Sequence, residues 1–425
     1  MPRRGRLTRR QLLGRTLALA AIGPAVVSSS ALGAGDRPAP SNRTTVASIG
    51  IGGRGAAVLR SFLSDPRVQV VAVCDVDAGH RAAALRLVEA KTSGATPYND
   101  FREVLARPDV DAVVIATPDH WHVPIAAAAA RAGKDIYCEK PLSTTISEGR
   151  RLVDAVRRYG RVFQTGSQLR SSARFRSGCE LVRNGRAGQL KMIRVGLPTG
   201  PYLARQPAAP VPDGFDYDFW LGQAPWAPYT PRRCHGTFRY IFDYSGGTVT
   251  DFGAHDIDLA QWGHGTEHTG PLEVEGRGEF PSDGLSDTAT HFRFQCTFAD
   301  GVVMEVWDGY RHSVTFEGTE GRVYVGRDRN DAEPKSLLDS AIGPNEIHLY
   351  ESRDHTANFL DCVRTRKPTI APPEVAHRSV SICHLANIAM RLERKVRWDP
   401  VREQFVDDPE ADRFLVRAMR SPWQV

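Results

Sequence analysis

Short apolar runs alternate with segments of helical periodicity from Thr44 to about residue 166. The runs TVASI, VQVVAVC, VDAVVIAT, KDIYC and RVFQT are rich in apolar and β-branched residues, and segments such as VPIAAAAARAG separate them. Near-continuous apolar strands joined by helices are typical of a parallel sheet that is covered on both faces. The pattern predicts a βαβ series over residues 44–166.

The pattern changes after about Ser167 to irregular segments and strands in which polar and apolar residues alternate. LKMIRVGL, LEVEGRGEF, ATHFRFQCTF, GVVMEVWD and GRVYVG are examples. Such alternation is typical of an antiparallel sheet with one packed face and one solvated or interface face. Two amphipathic helical segments, beginning at His355 and Pro372, follow. We therefore predict an α/β chain whose second domain, residues 167–425, contains a large, open, mainly antiparallel sheet.

A glycine-rich loop connects the first predicted strand to the first helix. Its residues are Gly50, Ile51, Gly52, Gly53, Arg54 and Gly55. Gly50 permits a tight turn, Gly52 lets the backbone approach a diphosphate, and Gly55 allows close packing of the helix on the strand. The diphosphate would rest on the helix N-terminus. The loop predicts the dinucleotide site of a Rossmann domain. Asp75, which ends the next strand, would accept from ribose hydroxyls and repel a 2′-phosphate, which favours NAD over NADP.

Two further segments follow the carboxyl ends of strands, where open α/β sheets bind their ligands. They are ATPDHWH, residues 116–122, and YCEKP, residues 137–141. Pro141 restricts Lys140 towards extended geometry, and we expect this lysine to point to the nicotinamide end of the cofactor. His120 and Trp121 are expected beside the nicotinamide. The predicted cofactor-binding residues in these segments are Thr117, Pro118, His120, Trp121, His122, Glu139 and Lys140.

The sequence gives little support for a metal site or a disulfide framework. His120 and His122 form a His-x-His pair, but no further ligands with zinc-like spacing lie near them, so no metal is expected. The seven cysteines include no C-x-x-C pair. Cys74 and Cys138 are interpreted as small, buried apolar residues.

The segment SGGTVTDFGAHDIDLAQW, residues 245–262, contains a candidate acid–base pair. Asp251 and His255 are four residues apart, which places them on one face of a predicted helix. Histidine titrates near neutrality, and a neighbouring carboxylate can orient it as a general base. The alternative is that Asp251 caps the helix and His255 is a satisfied core histidine.

Residues for substrate recognition are less sharply defined. Gln168 and Arg170 follow the last strand of the βαβ series, where they would suit hydroxyl or carboxylate recognition, although surface charge is an alternative. The proline- and aromatic-rich segment from Asp218 to Tyr240 is interpreted as a loop over the site or simply as packing. Its polar candidates are Arg232, Arg233 and His235.

Residues 1–34 resemble an export signal. Arg9 and Arg10 precede two leucines, an apolar run from Leu17 to Val27 follows, and small residues come next. Paired arginines before a modest apolar run mark the Tat route, which exports folded proteins. A retained membrane anchor is the alternative, although the run is short and contains Gly23-Pro24. We predict export, with residues 35–43 as a flexible linker.

The charge of the chain is concentrated in this leader. The formal net charge is +6, and residues 1–34 hold six arginines and no acid, so the remainder is formally neutral. No basic patch is left that would support a nucleic-acid partner.

The glycine loop, ATPDHWH and CEKPLS, in this order, resemble the Gfo/Idh/MocA oxidoreductases, the glucose–fructose oxidoreductase and inositol dehydrogenase superfamily. The resemblance covers about Thr44 to Pro400. It implies that Lys140, Asp251 and His255 are the catalytic lysine, aspartate and histidine, with His255 also contacting substrate. It further implies a carbohydrate or polyol substrate, NAD as cofactor, and an open C-terminal sheet that supports homo-oligomers.

Two alternatives to a sugar or polyol dehydrogenase remain open at this point. Some relatives are redox-neutral glycosidases, which oxidise a sugar transiently, eliminate the aglycone and reduce the ring again. Others bind sugar or cofactor without turnover, although the presence of Lys140, Asp251 and His255 speaks against that interpretation.

Overall fold

The computed structural model describes residues 38–92 and 94–423. The predicted export signal and residues 35–37 of the predicted linker lie outside this range. Residues 38–43 contain one short 3₁₀ turn, Pro40–Asn42. No helix of the described residues is long and apolar enough to cross a membrane.

Six parallel strands form the first sheet of the described chain, and helices connect them. The sheet order is β3-β2-β1-β4-β5-β6, which is the doubly wound Rossmann arrangement. The strands are β1 (Thr44–Ile49), β2 (Val68–Cys74), β3 (Thr96–Tyr98), β4 (Ala112–Ile115), β5 (Asp135–Cys138) and β6 (Phe163–Thr165). The helices are α1 (Gly53–Ser64), α2 (Ala78–Glu89), α3 (Phe101–Leu105), α4 (His122–Arg131) and α5 (Ile146–Tyr159).

Both faces of this sheet are covered, as its apolar strands predict. Side chains of α3, α4 and α5 pack on one face, together with Val380 from a helix near the C-terminus. The other face packs against α1 and α2, and against Phe359 from a second C-terminal helix. The ring of Phe359 lies 6.0 Å from that of Phe62, edge to face.

The register of the sheet brings the candidate residues together. Ile49 pairs with Cys74 and with Ile115, and Ile115 pairs with Cys138. The segments that follow these strands therefore leave the same edge of the sheet. They are the glycine loop, the turn at Asp75, ATPDHWH and the turn at Lys140.

The second sheet has nine strands in the described residues, in the order β13-β12-β11-β7-β10-β9-β8-β14-β15. Neighbouring strands are antiparallel where pairing is defined, except for the parallel pair β7 and β10. The strands are β7 (Leu190–Gly196), β8 (Glu273–Glu279), β9 (His291–Thr297), β10 (Val303–Trp307), β11 (Ser313–Gly318), β12 (Arg322–Gly326), β13 (Asn330–Glu333), β14 (Val396–Asp399) and β15 (Gln404–Phe405). The predicted fold class, a Rossmann domain followed by a mainly antiparallel α/β domain, is confirmed.

Helices cover one face of the nine-stranded sheet. The remaining helices are α6 (Ala173–Arg183), α7 (Tyr217–Leu221), α8 (Thr248–Asp251), α9 (Gly253–His264), α10 (His355–Thr365), α11 (Pro373–Leu392) and α12 (Pro409–Asp412). Apolar residues of α6, α9 and α11 form the main core with the buried side chains of the strands. Strand β9 alternates exposed and buried residues along its length, as its sequence pattern predicts.

The predicted helix around Asp251 and His255 is divided. Asp251 ends the short helix α8, Phe252 lies between, and His255 belongs to α9. Phe252 keeps helical backbone angles and its amide donates to the carbonyl oxygen of Thr248, so the chain stays close to helical between the two side chains. That Asp251 and His255 share one face stays a prediction. At the division, α9 packs so closely on α11 that a Cβ on Gly253 would lie 2.9 Å from the Sγ of Cys383.

Candidate active site

The glycine loop has the geometry that a dinucleotide site requires. Gly50 has φ +80°, and a Cβ on it would lie 2.5 Å from the amide nitrogen of Thr117. A Cβ on Gly55 would lie 2.0 Å from the carbonyl oxygen of Gly50. Gly52 is the N-cap of α1, no side chain caps the helix, and its first turn has no acid. The free amides and the positive end of the helix dipole therefore suit a diphosphate.

Asp75 holds this loop in place. Its Oδ2 accepts a hydrogen bond from the amide of Ile51 at 2.6 Å, and its Oδ1 accepts from the amide of Asp77 at 2.9 Å. The Nδ1 of His80 lies 3.5 Å from Oδ2, and hydrogen bonding to Asp75 raises the pKa of His80. A ribose contact of Asp75 stays a prediction, and the structure adds that the carboxylate also fixes the loop.

A cavity of about 370 Å³ opens between the edge of the Rossmann sheet and the proline- and aromatic-rich segment of the second domain, residues 218–240, which we call the aromatic loop. Aromatic and polar side chains from both regions line it. The predicted residues that line it are Gly50, Gly52, Gly53, Arg54, Asp75, Thr117, Pro118, Trp121, His122, Glu139 and Lys140. The loop contributes Phe219, Trp220, His235, Phe238 and Arg239. Ile51, Gly55, His120, Gln168, Arg170, Asp251 and His255 are not among the lining residues.

Lys140 is tied to Asp251 at the wall of this cavity. Its Nζ donates to the main-chain carbonyl oxygen of Asp251 at 2.7 Å and also contacts the carboxylate. The Nε of Arg239 lies 3.3 Å from the same carboxylate. Burial raises the pKa of Asp251, but the charges and hydrogen bonds of Lys140 and Arg239 outweigh it, so the pKa lies below its ordinary value. The structure therefore supports an ionised Asp251 rather than a helix cap.

His255 lies close enough to Lys140 to be affected by its charge. Burial, followed by the charge of Lys140, lowers the pKa of His255 well below its ordinary value. Its Nδ1 is buried and has no hydrogen-bond partner among the described residues. The imidazole is therefore neutral at neutral pH with one ring nitrogen unused, which differs from the satisfied core histidine of the alternative interpretation.

Glu139 forms a second polar centre of the cavity. Its Oε1 accepts from the Nη2 of Arg54 at 3.0 Å and from the Nε2 of Gln168 at 2.8 Å. Its Oε2 is buried without a partner among the described residues. Gln168 also donates to the hydroxyl of Tyr137, so it orients Glu139 instead of lining the cavity. The unpaired Oε2 and the glycine cradle both fit a bound dinucleotide, because a cofactor hydroxyl would satisfy the carboxylate.

Arg170 does not reach the cavity. Its guanidinium is buried and makes two hydrogen bonds to the carboxylate of Asp258, at 2.7 and 2.9 Å. A third contact joins it to Glu267 at 2.9 Å, and the group lies 4.8 Å from the ring centre of Trp262. The predicted role in substrate recognition is therefore not supported by this placement, because the donors of Arg170 are used within the fold.

The histidines of ATPDHWH are held by main-chain carbonyls. The Nε2 of His120 lies 3.0 Å from the carbonyl oxygen of Trp220, and burial lowers the pKa of His120 to about 3. The ring nitrogens of His122 lie 2.7 Å from the carbonyl oxygen of Pro141 and 3.0 Å from that of Thr117. His122 therefore braces the turn that presents Lys140. Trp121 does line the cavity, whereas His120 supports the wall from behind.

Two functional candidates, Asp119 and Arg239, were not identified from the sequence. Asp119 lines the cavity and accepts a hydrogen bond from the hydroxyl of Ser245 at 2.5 Å. Burial raises the pKa of Asp119 to about 7. Arg239 lines the cavity and pairs with Asp251. Both belong to segments that the sequence marks as important. The partner of Asp119 is 126 residues away, whereas that of Arg239 is 12 residues away but across an irregular segment with no periodicity.

The six-stranded Rossmann sheet and the cavity at its edge define a dinucleotide-binding protein. A family model for the NAD-binding Rossmann fold of the oxidoreductase family matches residues 44–167, and its C-terminal alpha/beta domain model matches residues 202–425. The chain belongs to this family, the Gfo/Idh/MocA oxidoreductases. The family resemblance and NAD as the cofactor are thereby confirmed.

Known proteins are similar in sequence to this chain over part or most of its length. Uncharacterized oxidoreductase YrbE from Bacillus subtilis is 26% identical over 341 residues, which cover 76% of this chain and 86% of YrbE. Myo-inositol 2-dehydrogenase from Thermotoga maritima is 23% identical over 368 residues, which cover 83% of this chain and 98% of the relative. A glycosyl hydrolase family 109 protein from Saccharopolyspora erythraea is 42% identical over 114 residues, which cover only 25% of this chain and 24% of the relative.

Solved structures share the fold. GenD2 from gentamicin A biosynthesis, in complex with NAD, has a TM-score of 0.62 and 22% identity, with 84% of this chain and 97% of GenD2 covered. Aldose-aldose oxidoreductase from Caulobacter crescentus, complexed with glycerol, has a TM-score of 0.61 and 19% identity. The match covers 84% of this chain and 99% of the oxidoreductase. At these identities the likeness establishes the architecture alone.

Proposed function

We propose that the protein transfers a hydride between NAD and a hydroxyl-bearing carbon of a carbohydrate or polyol. The observation that carries this proposal is the position of Lys140, whose ammonium is fixed by Asp251 at the wall of the cofactor cavity. The family relationship and the similarity to a myo-inositol 2-dehydrogenase over most of the chain support the substrate class.

NAD, when bound, supplies the hydride acceptor. The glycine loop and the N-terminus of α1 would hold its diphosphate, and Asp75 and the free Oε2 of Glu139 would accept from its hydroxyls. Trp121 and Phe219 wall the cavity and limit the access of water to it.

The remaining chemistry belongs to the cluster around Lys140. Its ammonium would donate to the reacting oxygen and stabilise developing alkoxide charge. Asp251 stays ionised and holds the ammonium in register. His255 is neutral and would accept the hydroxyl proton, as the family resemblance implies. Arg239 adds a positive charge at the same carboxylate.

The proposal includes export and a retained cofactor. Residues 1–34 carry the Tat-like pattern, and a protein that folds before export binds NAD in the cytoplasm. Little free dinucleotide is expected outside, so the reaction cycle would close on the bound cofactor. One substrate would reduce NAD, and a second substrate, or a later form of the first, would reoxidise it.

A redox-neutral glycoside hydrolase is the second candidate. The 42% identity to the glycosyl hydrolase family 109 protein over 114 residues supports it, although this segment is only a quarter of the chain. Both candidates require hydride transfer to NAD. They differ in whether a glycosidic bond is broken.

The test begins with purification of the exported form without added cofactor and exhaustive dialysis. Bound dinucleotide, identified by mass after denaturation, is expected. A panel of sugars and polyols should then change the absorbance of the bound nicotinamide, whereas release of a chromophore from aryl glycosides would favour the hydrolase. Protein that emerges empty and turns over only with exchangeable NAD would contradict the closed cycle. No response to any panel member would contradict the substrate class.

Self-association through the open sheet is part of the proposal. The face opposite the helices carries a row of paired charges, with Arg194 bridging Glu305 and Glu317, and Arg293 pairing with Glu305. A polar face of this kind suits a hydrated interface better than an apolar one. Size-exclusion chromatography with light scattering at two salt concentrations would test it, and a monomer at both would contradict it.

A further inference from the structure

Three metal-ligand side chains converge at the rim of the cofactor cavity, away from Lys140. They are Asp77, His80 and His235, and their potential ligand atoms all lie within 4.8 Å of one another. Of these, the sequence had singled out only His235, as a polar candidate of the aromatic loop. His80 and His235 both line the cavity.

We propose that Asp77, His80 and His235 bind a first-row divalent cation of the Zn²⁺ class, which joins the aromatic loop of the second domain to the Rossmann edge. Imidazole nitrogen and carboxylate oxygen are ligands that Zn²⁺ accepts, and three protein ligands leave coordination positions open. The contacts of each residue support this assignment.

The two histidines already face each other. Their ring centres are 5.0 Å apart, edge to face, and the Nε2 of His235 lies 3.5 Å from the Oδ2 of Asp77. The ring of Phe215, 5.2 Å away, packs against His235. Small side-chain rotations therefore suffice to bring the three ligand atoms to one ion.

The backbone that carries Asp77 is joined to the second domain at Phe215, whose ring packs against His235. Asp77 and Phe215 form an antiparallel bridge, and the amide of Ala78 donates to the carbonyl oxygen of Gly214 at 2.9 Å. The Oδ1 of Asp77 caps α2 by accepting from the amides of Gly79 and His80. Its Oδ2 is the oxygen left to face His235. The Asp77 and His80 side of the site is thus supported by hydrogen-bonded backbone, and His235 is held by ring packing on Phe215.

The local charge suits a dication. The carboxylates of Asp75 and Asp77 both lie beside the two imidazoles, and the side chains of His80 and His235 are 33% and 44% exposed, so an ion can reach them.

The site lies next to the expected seat of the cofactor diphosphate. A Cβ on Gly52, the N-cap of α1, would lie 3.5 Å from the His80 ring. A dication there adds positive charge where the diphosphate is expected and ties a loop across the cavity mouth. Both effects should slow cofactor release and raise cofactor affinity. Thermodynamic linkage requires bound cofactor to raise the affinity for the metal by the same factor as the metal raises the affinity for the cofactor.

The first experiment measures metal binding and needs neither substrate nor turnover. The full chain is treated with EDTA, dialysed, and titrated with Zn²⁺ in competition with a chromophoric chelator. We expect one strong site, weakened at least ~10-fold in His80→Ala and in His235→Ala. His348→Ala is the matched control, because this histidine is exposed, lies outside the ligand cluster and hydrogen-bonds to the carbonyl oxygen of Gly343. It should bind Zn²⁺ as the unaltered protein does. Co²⁺ should give the visible absorption of a four-coordinate site in the unaltered protein and lose it in His235→Ala.

The second experiment measures release of NADH by its fluorescence, with Zn²⁺ or with EDTA. Release should be slower with Zn²⁺ in the unaltered protein and in His348→Ala, but equal under both conditions in His235→Ala. Identical Zn²⁺ titrations of the unaltered protein and His235→Ala would overturn the metal site. Tight Zn²⁺ binding without an effect on NADH release would overturn its role as a link across the cavity. Neither outcome depends on which substrate the enzyme uses.

Discussion

Lys140 donates to the main-chain carbonyl oxygen of Asp251 at 2.7 Å and contacts the carboxylate of the same residue. The two acceptors fix the position of the ammonium and leave a proton free to donate, because an ammonium has three. Pro141 and His122 brace the turn from the other side. The lysine is therefore positioned by both domains, and its alignment depends on their contact.

Removal of this ammonium should abolish most turnover without loss of the cofactor. We expect Lys140→Ala to lower turnover by ~10²–10⁴-fold, since groups that assist proton transfer and charge development typically contribute this much. Bound NAD, measured by mass, should be unchanged. Lys191→Ala, an exposed lysine that pairs only with Gln189 in the described structure, is the control. Turnover of Lys140→Ala within a few-fold of the control would remove Lys140 from the mechanism.

The sequence could predict the fold and the edge that carries the site, because both depend on local patterns. Apolar strands and the glycine loop specify the Rossmann sheet, and parallel register places Asp75, Thr117 and Lys140 at one edge. It could also place His122 at the start of a helix. These features require only neighbouring residues and the rule for where parallel sheets bind ligands.

Features that depend on distant partners could not be predicted. Arg170 can be buried because it forms an ion pair with Asp258, which is 88 residues away in the sequence. The division between α8 and α9 coincides with close packing of Gly253 on Cys383. The contact of His80 with His235 joins two domains. No periodicity in the sequence indicates these long-range contacts, although each residue type is compatible with the contact it makes.

The buried ion pair of Arg170 predicts a loss of stability rather than of substrate affinity. Arg170→Ala would leave the carboxylate of Asp258 buried without its main partner, which typically costs about 3–5 kcal/mol. Chemical denaturation should show this loss. Arg174→Ala, an exposed neighbour on α6, should stay within about 0.5 kcal/mol of the unaltered protein. A folded Arg170→Ala of normal stability with an altered KM would instead restore the role in substrate recognition.

Asp119 should make stability fall with pH. Burial raises its pKa to about 7 in the folded state, above the ordinary value of 3.8 that it regains on unfolding. Between these values the folded state binds more protons, so the free energy of unfolding decreases as pH rises and levels off above about 7. Asp119→Asn removes the titration, so its stability relative to the unaltered protein should increase from pH 5 to pH 8.

Thermal unfolding of both proteins at these two pH values measures the effect. Asp109→Asn is a suitable control, because this exposed carboxylate has a lowered pKa, chiefly through its hydrogen bond to Arg107, and should show no such gain. An Asp119→Asn difference that does not change with pH would mean that Asp119 is ionised throughout this range.

Asp75 should control both the preference for NAD over NADP and the conformation of the glycine loop. Asp75→Ala removes the carboxylate that would repel a 2′-phosphate, so the ratio of NADP to NAD affinity should rise. It also removes the acceptor of the Ile51 and Asp77 amides, so affinity for NAD should fall as the loop loosens. Asp75→Asn separates the two effects, because its amide oxygen can still accept one of these hydrogen bonds while the negative charge is gone. We expect Asp75→Asn to shift the affinity ratio towards NADP with a smaller loss of NAD affinity than Asp75→Ala. Titration of cofactor-depleted protein with each dinucleotide measures both quantities, and an unchanged ratio in both variants would show that another residue selects NAD.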